Sequence, residues 1–217
     1  MQAHQHRVIA IDGPAASGKS SVAHDLARRF GFVYVNSGAM YRALTWHVLS
    51  HGIDAGDGER IAQLVETSWL AGELKHGELR LLIDDVDLTK HLRVDRVNNE
   101  VPRVSTVPEV RKIIVQRMRD YAREHDLVVE GRDIGSVVFP DTPYKFYLDA
   151  SPEVRSRRRA AQGHHDLIAL RDQADSSRTT SPLVIAKDAE VIDTSEMSID
   201  DVVGEIVRRL RDKELTM

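Results

Sequence analysis

Short apolar runs alternate along this chain with stretches whose apolar residues recur every three or four positions. The first run, residues 7–12, ends at a Gly-Pro pair, and helical spacing of apolar residues begins at Ser17. A short β-branched run is typical of a strand, and the change of period marks a helix. The pattern therefore predicts strand, turn and helix at the start of the chain.

The same alternation continues towards the C-terminal end. Further strands are predicted at residues 32–35, 127–129, 145–148 and 191–192. Helices are predicted to follow N-caps at Ser37 and Ser198 and to begin at Pro108 and Pro152. Five apolar strands separated by helices predict an α/β fold with a parallel sheet that is covered on both faces. Such sheets bind their ligands at the carboxyl ends of the strands.

Residues 54–106 differ from the rest of the chain in their pattern of glycines and apolar residues. Glycines interrupt this stretch, and two apolar runs, 78–83 and 86–88, follow each other as in a hairpin. The sequence therefore predicts a small subdomain at 54–106, inserted into a core that consists of residues 1–53 and 107–217.

Residues 13–20 match the pattern G-x-x-x-x-G-K-[ST] at every fixed position. In this motif backbone N–H groups wrap a polyphosphate, and the helix that follows presents its positive end. Lys19 would reach the β- and γ-phosphates, and Ser20 would bind Mg²⁺. A glycine-rich turn that binds nothing is the alternative, but the match follows a predicted strand and opens a predicted helix, as the motif requires. The predicted nucleotide-binding residues are Gly13, Pro14, Ala15, Ala16, Ser17, Gly18, Lys19, Ser20 and Ser21.

Composition excludes several other classes of protein. The chain has 217 residues, a formal net charge of −4 and no cysteine, which rules out a disulfide framework, a thiol nucleophile and thiolate-bound zinc. A mildly acidic chain does not favour a nucleic-acid polymer as partner, and no apolar run is long enough to span a membrane. We expect a cytoplasmic protein, because the first residues do not form an export signal.

Arginine outnumbers lysine by 23 to 7, and arginine is the side chain suited to bidentate binding of phosphate. Helical spacing after Pro152 places Arg155 on one face with Arg158 or Arg159 and leaves Arg157 for solvent.

The sequence contains no Asn-Lys-x-Asp element of the kind that recognises guanine. The pattern therefore favours a kinase of a small anionic acceptor over a GTPase.

Five sequence blocks together carry a resemblance to a known family. They are residues 9–20, 37–42 (SGAMYR), 130–140 (EGRDIGSVVFP), 171–178 (RDQADSSR) and 192–195 (IDTS). In this order they resemble the bacterial cytidylate kinases, and they extend over nearly the whole chain. The resemblance implies a three-layer P-loop fold with a five-stranded parallel sheet, a nucleoside-monophosphate-binding insertion at 54–106 and a short lid at about 155–178. It also implies MgATP-dependent phosphorylation of CMP and dCMP.

The resemblance also implies roles for individual residues. The monophosphate-site residues would be Ser37, Arg42, Arg111, Arg132, Asp133, Arg171, Asp175 and Arg178. The catalytic residues would be Lys19, Arg132, Arg158, Arg159 and Arg171, and the metal would be held by Ser20 and, through water, by Glu130. Asp133 is the candidate reader of the cytosine amino group, with Arg111 and Arg178 at the acceptor side of the base.

Three features depart from the family pattern. Asn36 stands where the family more often has Asp, Pro102 falls near a base-contacting Ser of some members, and only eleven residues separate Arg159 from Arg171. A kinase of another small acceptor, such as AMP, UMP or shikimate, is one alternative, and a P-loop module without catalysis is the other. We expect a monomer that binds ATP and CMP or dCMP, with neither a nucleic-acid polymer nor a membrane as partner.

Overall fold

A computed structural model describes residues 6–92, 94–161 and 183–215. The chain divides into two compact units: unit 1 is Met1–Tyr34 with Ala122–Met217, and unit 2 is Val35–Tyr121. The bounds that the sequence predicts for the inserted subdomain, 54–106, stay a prediction.

The described helices and strands follow one another in the order that the apolar pattern predicts for the core, with additional elements in unit 2. The first half contains β1 (Val8–Asp12), α1 (Lys19–Phe30), β2 (Val33–Asn36), α2 (Ser37–Ser50), α3 (Gly58–Thr67), β3 (Leu70–Lys75), β4 (Glu78–Ile83) and β5 (Val86–Asp87). The second half contains α4 (Asp95–Val104), α5 (Pro108–Tyr121), β6 (Leu127–Gly131), β7 (Tyr144–Asp149), α6 (Pro152–Ala161), β8 (Glu190–Asp193) and α7 (Ile199–Asp212). A 3-10 turn at Thr89–His91 and a π-helical turn at Ile134–Val138 complete the list.

Unit 1 is built on a sheet in which β1 lies at the centre. β1 pairs in parallel with β6 on one side and with β7 on the other, and β7 pairs in parallel with β8. β2, whose first two residues belong to this unit, lies beside β6, so the order is β2-β6-β1-β7-β8. Every residue of β1 and β6 is buried, as expected of strands that are covered on both faces. The predicted α/β fold with a parallel sheet is confirmed.

Helices α1 and α7 cover one face of this sheet with aliphatic side chains. Val22 and Leu26 of α1 and Val203, Ile206 and Leu210 of α7 are buried in one cluster with side chains from the central strands. Both sets follow the three- and four-residue spacing of an amphipathic helix. Burial of this apolar area stabilises the strand ends, from which the loops of unit 1 emerge.

One of the two predicted N-caps is correct, and the other is wrong. Ser198 caps α7 in a capping box, because its hydroxyl accepts from Asp201 N–H and the Asp201 carboxylate accepts from Ser198 N–H. The N-cap of α2 is Asn36 instead of Ser37, since Asn36 Oδ1 accepts from Ala39 N–H at 2.9 Å. Asn is at least as good a cap as Ser, so the helix begins one residue earlier than predicted.

Unit 2 contains an antiparallel sheet of β3, β4 and β5. Lys75 pairs with Glu78, and the two residues between them, His76 and Gly77, both have positive φ, 52° and 79°. Two positive φ values are characteristic of the tight hairpin turns that match strand twist. The predicted strands at 78–83 and 86–88 correspond to β4 and β5.

Three elements of unit 2 were not predicted: α3, β3 and α4. Helix α3 buries only Ile61 and Val65, one turn apart, so its periodic signal extends over barely two turns. Helix α4 contains Pro102 in its last turns, where proline ordinarily argues against a helix. Among the described helices, none combines the length and apolar character that a membrane span requires.

Candidate functional site

The turn between β1 and α1 has a backbone conformation that depends on glycine at its first position. Gly13 and Gly18 have φ values of 152° and 92°, and Ala16 lies between them with a φ of 60°. A side chain at Gly13 would place its Cβ 2.1 Å from the carbonyl oxygen of Leu148, at the end of β7. Since real Cβ atoms do not come so close to backbone, the turn can pack against β7 only with glycine there.

The start of α1 is arranged to receive an anion. Gly18 occupies the N-cap position, makes no side-chain cap and is followed by no acidic residue in the first turn. The first N–H groups of a helix have no partner within it and carry partial positive charge. Lys19 is buried, and its Nζ donates to Pro14 O at 2.9 Å, which holds the ammonium group over the turn. Ser20, the next residue, is exposed.

The carbonyl oxygens of the turn accept hydrogen bonds from the surrounding protein. Arg132 Nη1 donates to Gly13 O at 2.9 Å, and Arg155 Nη1 lies 3.4 Å from Ala15 O. Thr194 Oγ1 lies 3.0 Å from Ser17 O. Carbonyl oxygens repel phosphate. Because these carbonyl oxygens point towards donor groups of the protein, the N–H groups of the turn stay available for an anion.

The hydroxyl of Ser17 stands out in this turn. It is fully buried, and no hydrogen-bond partner for it is present in the part of the chain that the structure describes. A buried hydroxyl without a partner is uncommon and costs folding free energy.

Helix α6 brings two of its arginines to the same turn. Arg155 is buried and donates through Nε to Ala150 O at 3.0 Å. Arg158 donates to Thr194 Oγ1 at 3.0 Å and to Thr194 O at 2.6 Å, and its Nη1 lies 3.8 Å from the Cβ position of Gly18. Arg157 is exposed. The predicted division of this helix into a face with Arg155 and Arg158 and a solvated Arg157 is therefore correct.

Thr194 links the phosphate turn, Arg158 and the end of β7, and the sequence analysis gives it no role of its own. Its backbone N–H donates to Asp149 O at 2.8 Å, which fixes the end of β8 against the end of β7. Its hydroxyl then reaches both Ser17 O and the Arg158 guanidinium. The sequence feature that points to Thr194 is the block IDTS at residues 192–195, in which a small polar residue follows a strand at the ligand edge of the sheet.

Arg132 and Asp133 lie directly after β6, as the sequence predicts. The Arg132 guanidinium contacts the turn through Gly13 O. Asp133 is buried and occupies the N-cap position of the π-helical turn. Both residues lie at the carboxyl end of the sheet, next to the end of β1.

A further buried carboxylate, Asp12, lies at the end of β1. It accepts from Ile134 N–H at 2.8 Å and from Gly135 N–H at 2.7 Å. The pKa of Asp12 is raised to about 6, mainly by burial and also by the nearby charge of Asp133, although the two N–H donors and Lys19 lower it. The sequence analysis assigns Asp12 no role of its own, since its partners lie far away along the chain.

Glu130 is buried near the end of β6, and its neighbour in β1 is Ile11. Tyr34 Oη donates to Glu130 Oε1 at 3.0 Å. No group of three or more His, Asp or Glu side chains that would hold a metal ion exists among the described residues.

The predicted site residues of unit 2 lie on α2 and α5. Ser37 is buried at the first position of α2, and Arg42 Nε donates to Asn98 Oδ1 of α4 at 3.1 Å. Arg111 of α5 is buried, with its Cζ 5.6 Å from the centre of the Tyr41 ring. Asn98 is a polar partner that sequence reasoning missed, because α4 itself was not predicted.

Three predicted site residues, Arg171, Asp175 and Arg178, lie outside the described residues. The same is true of most of the predicted lid at about 155–178. Arg159 is described and half-buried on α6. The roles that the resemblance implies for these residues stay predictions.

Comparison with solved structures supports the fold. Shikimate kinase from Acinetobacter baumannii superposes with a TM-score of 0.50 at 13% identity, covering 97% of this chain and 96% of that chain. An uncharacterized protein from Eubacterium ventriosum gives a TM-score of 0.51 at 12% identity, covering 95% and 99%. At these identities the likeness shows a shared fold alone.

Comparison of sequences is more specific. A family model for cytidylate kinase matches residues 9–212. A cytidylate kinase of Rhodococcus opacus (strain B4) is 45% identical over 213 residues, covering 92% of this chain and 93% of the relative. A cytidylate kinase of Desulforamulus reducens is 42% identical over 217 residues, covering 94% and 96%. With this identity along nearly its whole length, the chain belongs to the cytidylate kinase family.

Proposed function

We propose that this chain transfers the γ-phosphoryl group of ATP to CMP and dCMP, with Mg²⁺ as the metal. The observation that carries the proposal is the turn at residues 13–18, whose carbonyl oxygens accept from Lys19, Arg132 and Arg155. An anion site of this kind, in a chain of the cytidylate kinase family, is suited to the phosphates of the donor nucleotide.

Phosphoryl transfer between two phosphates requires no nucleophile from the protein. The acceptor is itself a phosphate anion, so the protein needs to bring donor and acceptor into line and to stabilise the charge on the transferred group. Lys19 and Arg158, both held at the phosphate turn, are proposed to stabilise that charge. Arg132 is proposed to act with them, and Arg159 and Arg171 as further cations.

The residues near the phosphate turn fit Mg²⁺. This ion prefers oxygen ligands and is usually held by one or two protein groups together with phosphates and water. The exposed Ser20 hydroxyl at the first turn of α1 and the buried Glu130 carboxylate after Val129 are the groups proposed to hold it, Glu130 through water. When bound, the ion supplies positive charge to the phosphate oxygens.

For the acceptor, the proposed contacts separate into phosphate and base contacts. Arg42 and Arg132 are assigned to the phosphate of the acceptor, since charge-assisted bonds from Arg suit its oxygens. Asp133 is assigned to the amino group of cytosine, and Arg111 and Arg178 to the acceptor side of the base. Arg171, close to the ribose, completes the site together with Ser37 and Asp175. Uracil has an oxygen in place of that amino group, and a carboxylate facing it disfavours UMP. Monomeric state and cytoplasmic location stay predictions.

The proposal is tested by an acceptor panel with MgATP. CMP and dCMP are expected to give the highest kcat/KM values, above AMP, UMP and shikimate. Faster turnover of AMP or shikimate than of CMP would replace this function with the alternative of another small acceptor. Hydrolysis of ATP without transfer to any acceptor would favour a module that does not catalyse the reaction.

The role of α6 is tested by a matched pair of neighbouring arginines. Arg158→Ala removes the guanidinium held at Thr194 and the phosphate turn, so kcat for CMP is expected to fall by about 100-fold or more. Arg157→Ala removes the same charge from the exposed face and should leave kcat within about twofold. Equal loss in the two variants would mean that only the total charge of the helix matters.

Base selection is tested by Asp133→Asn, which removes the carboxylate charge at similar size. The ratio of kcat/KM for CMP to that for UMP is expected to fall by an amount equal to about 1–3 kcal/mol. Activity with CMP and UMP is measured on the same preparation, so a partly unfolded sample lowers both rates alike. An unchanged ratio would refute the assignment of Asp133 to the base.

A further inference from the structure

Two hydrogen bonds connect Asp12 to the π-helical turn that directly follows Arg132 and Asp133. Asp12 is buried, and its two carboxylate oxygens accept from Ile134 N–H at 2.8 Å and Gly135 N–H at 2.7 Å. Both oxygens are therefore committed to the backbone immediately after Asp133.

The π-helical turn at Ile134–Val138 needs a cap that its own N-cap residue does not provide. The first N–H groups of a helical turn have no partner within it. Asp133 occupies the N-cap position, but its side chain makes no capping hydrogen bond. An Asp at this position ordinarily caps with its own carboxylate. Here the carboxylate of Asp12 accepts from the first two N–H groups instead.

The same segment is held from a second side. Arg132 Nη1 donates to Gly13 O at 2.9 Å. The neighbouring residues Asp12 and Gly13 therefore both hold this segment: Asp12 binds the backbone that follows Asp133, and Gly13 binds the side chain of Arg132. Packing is close, since a Cβ at Gly135 would lie 3.2 Å from Lys145 Cδ and 3.4 Å from Asp12 Oδ2. The turn therefore has little freedom to move relative to the end of β1.

We propose that Asp12 is a positioning residue for the acceptor: by capping the π-helical turn, it fixes the backbone that directly follows Arg132 and Asp133. The inference rests on the proposed function, since it assumes that these two residues bind the acceptor. In this role Asp12 acts through the backbone of Ile134 and Gly135 and is not a catalytic residue.

The test is Asp12→Asn, which keeps the size of the side chain but leaves one oxygen and one NH₂ group facing two N–H donors. One of the two capping bonds is lost, and the turn is expected to shift. Because a misplacement of about 1 Å in a positioning group can cost about 100-fold, kcat/KM for CMP is expected to fall by up to that factor. The KM for CMP should rise more than the KM for ATP, and the CMP/UMP ratio should fall.

A double-variant cycle separates positioning from simple loss of stability. If Asp12 acts through Asp133, the variant that combines Asp12→Asn with Asp133→Asn should show a CMP/UMP ratio no lower than Asp133→Asn alone. Ser198→Ala, which removes the cap of α7, is the control: it should lower Tm and leave the ratio and the KM for CMP unchanged. Additive losses in the cycle, or a ratio that Asp12→Asn leaves unchanged, would overturn the proposal.

Amide hydrogen exchange gives an answer that is independent of base selection. Exchange at Ile134 and Gly135 should become about tenfold faster or more in Asp12→Asn, as expected for loss of a charge-assisted bond. If Asp133→Asn alone leaves the CMP/UMP ratio unchanged, the assignment of Asp133 in the proposed function is wrong. The positioning role is then decided by this exchange together with the KM for CMP, and unchanged values of both would overturn it.

A second variant covers the case in which Asp12→Asn does not fold. Gly135→Ala adds one methyl group against Lys145 and Asp12 and pushes the turn away from the intact carboxylate. It should raise the KM for CMP and lower the CMP/UMP ratio in the same direction as Asp12→Asn. A Gly135→Ala enzyme with wild-type values of both would contradict the proposal.

Discussion

The backbone turn between β1 and α1 is the constraint on which the rest of unit 1 depends. Its carbonyl oxygens accept from Lys19, Arg132 and Arg155, and Thr194 reaches the carbonyl of Ser17. Each of these side chains comes from a different loop or helix at the carboxyl end of the sheet. The turn therefore organises the surrounding cations, and the cations in turn hold its carbonyl oxygens away from an incoming phosphate. A side chain at the first glycine would break this arrangement through contact with β7.

The net charge of the whole chain does not show how its charges are distributed along the sequence. The net charge is −4, yet Arg outnumbers Lys. Four arginines lie between residue 155 and residue 159. Among the cations lies Asp12, whose pKa burial raises to about 6. A carboxylate is retained there because it accepts two backbone N–H groups, which a neutral aliphatic side chain would leave without partners.

The sequence predicted the parts of this protein whose signal is local. The strands of unit 1 and the phosphate turn follow from apolar runs and from glycine positions, and the cap at Ser198 follows from the residues beside it. Helix α4 was missed because Pro102 argues against a helix, and Asn98 was missed with it. Asp12 and Thr194 were also missed as site residues, since their partners lie far away in the chain and only the folded sheet brings them together.

If the turn at residues 13–18 holds the phosphates of ATP, Lys19→Met should slow phosphoryl transfer. Methionine keeps the length of the side chain and removes the ammonium group that lies over the turn. Initial rates with ATP and CMP are compared with those of Lys187→Met, which makes the same substitution at an exposed position. We expect kcat to fall by about 100-fold or more in Lys19→Met and to be unchanged in Lys187→Met. Full activity of a folded Lys19→Met enzyme would contradict it.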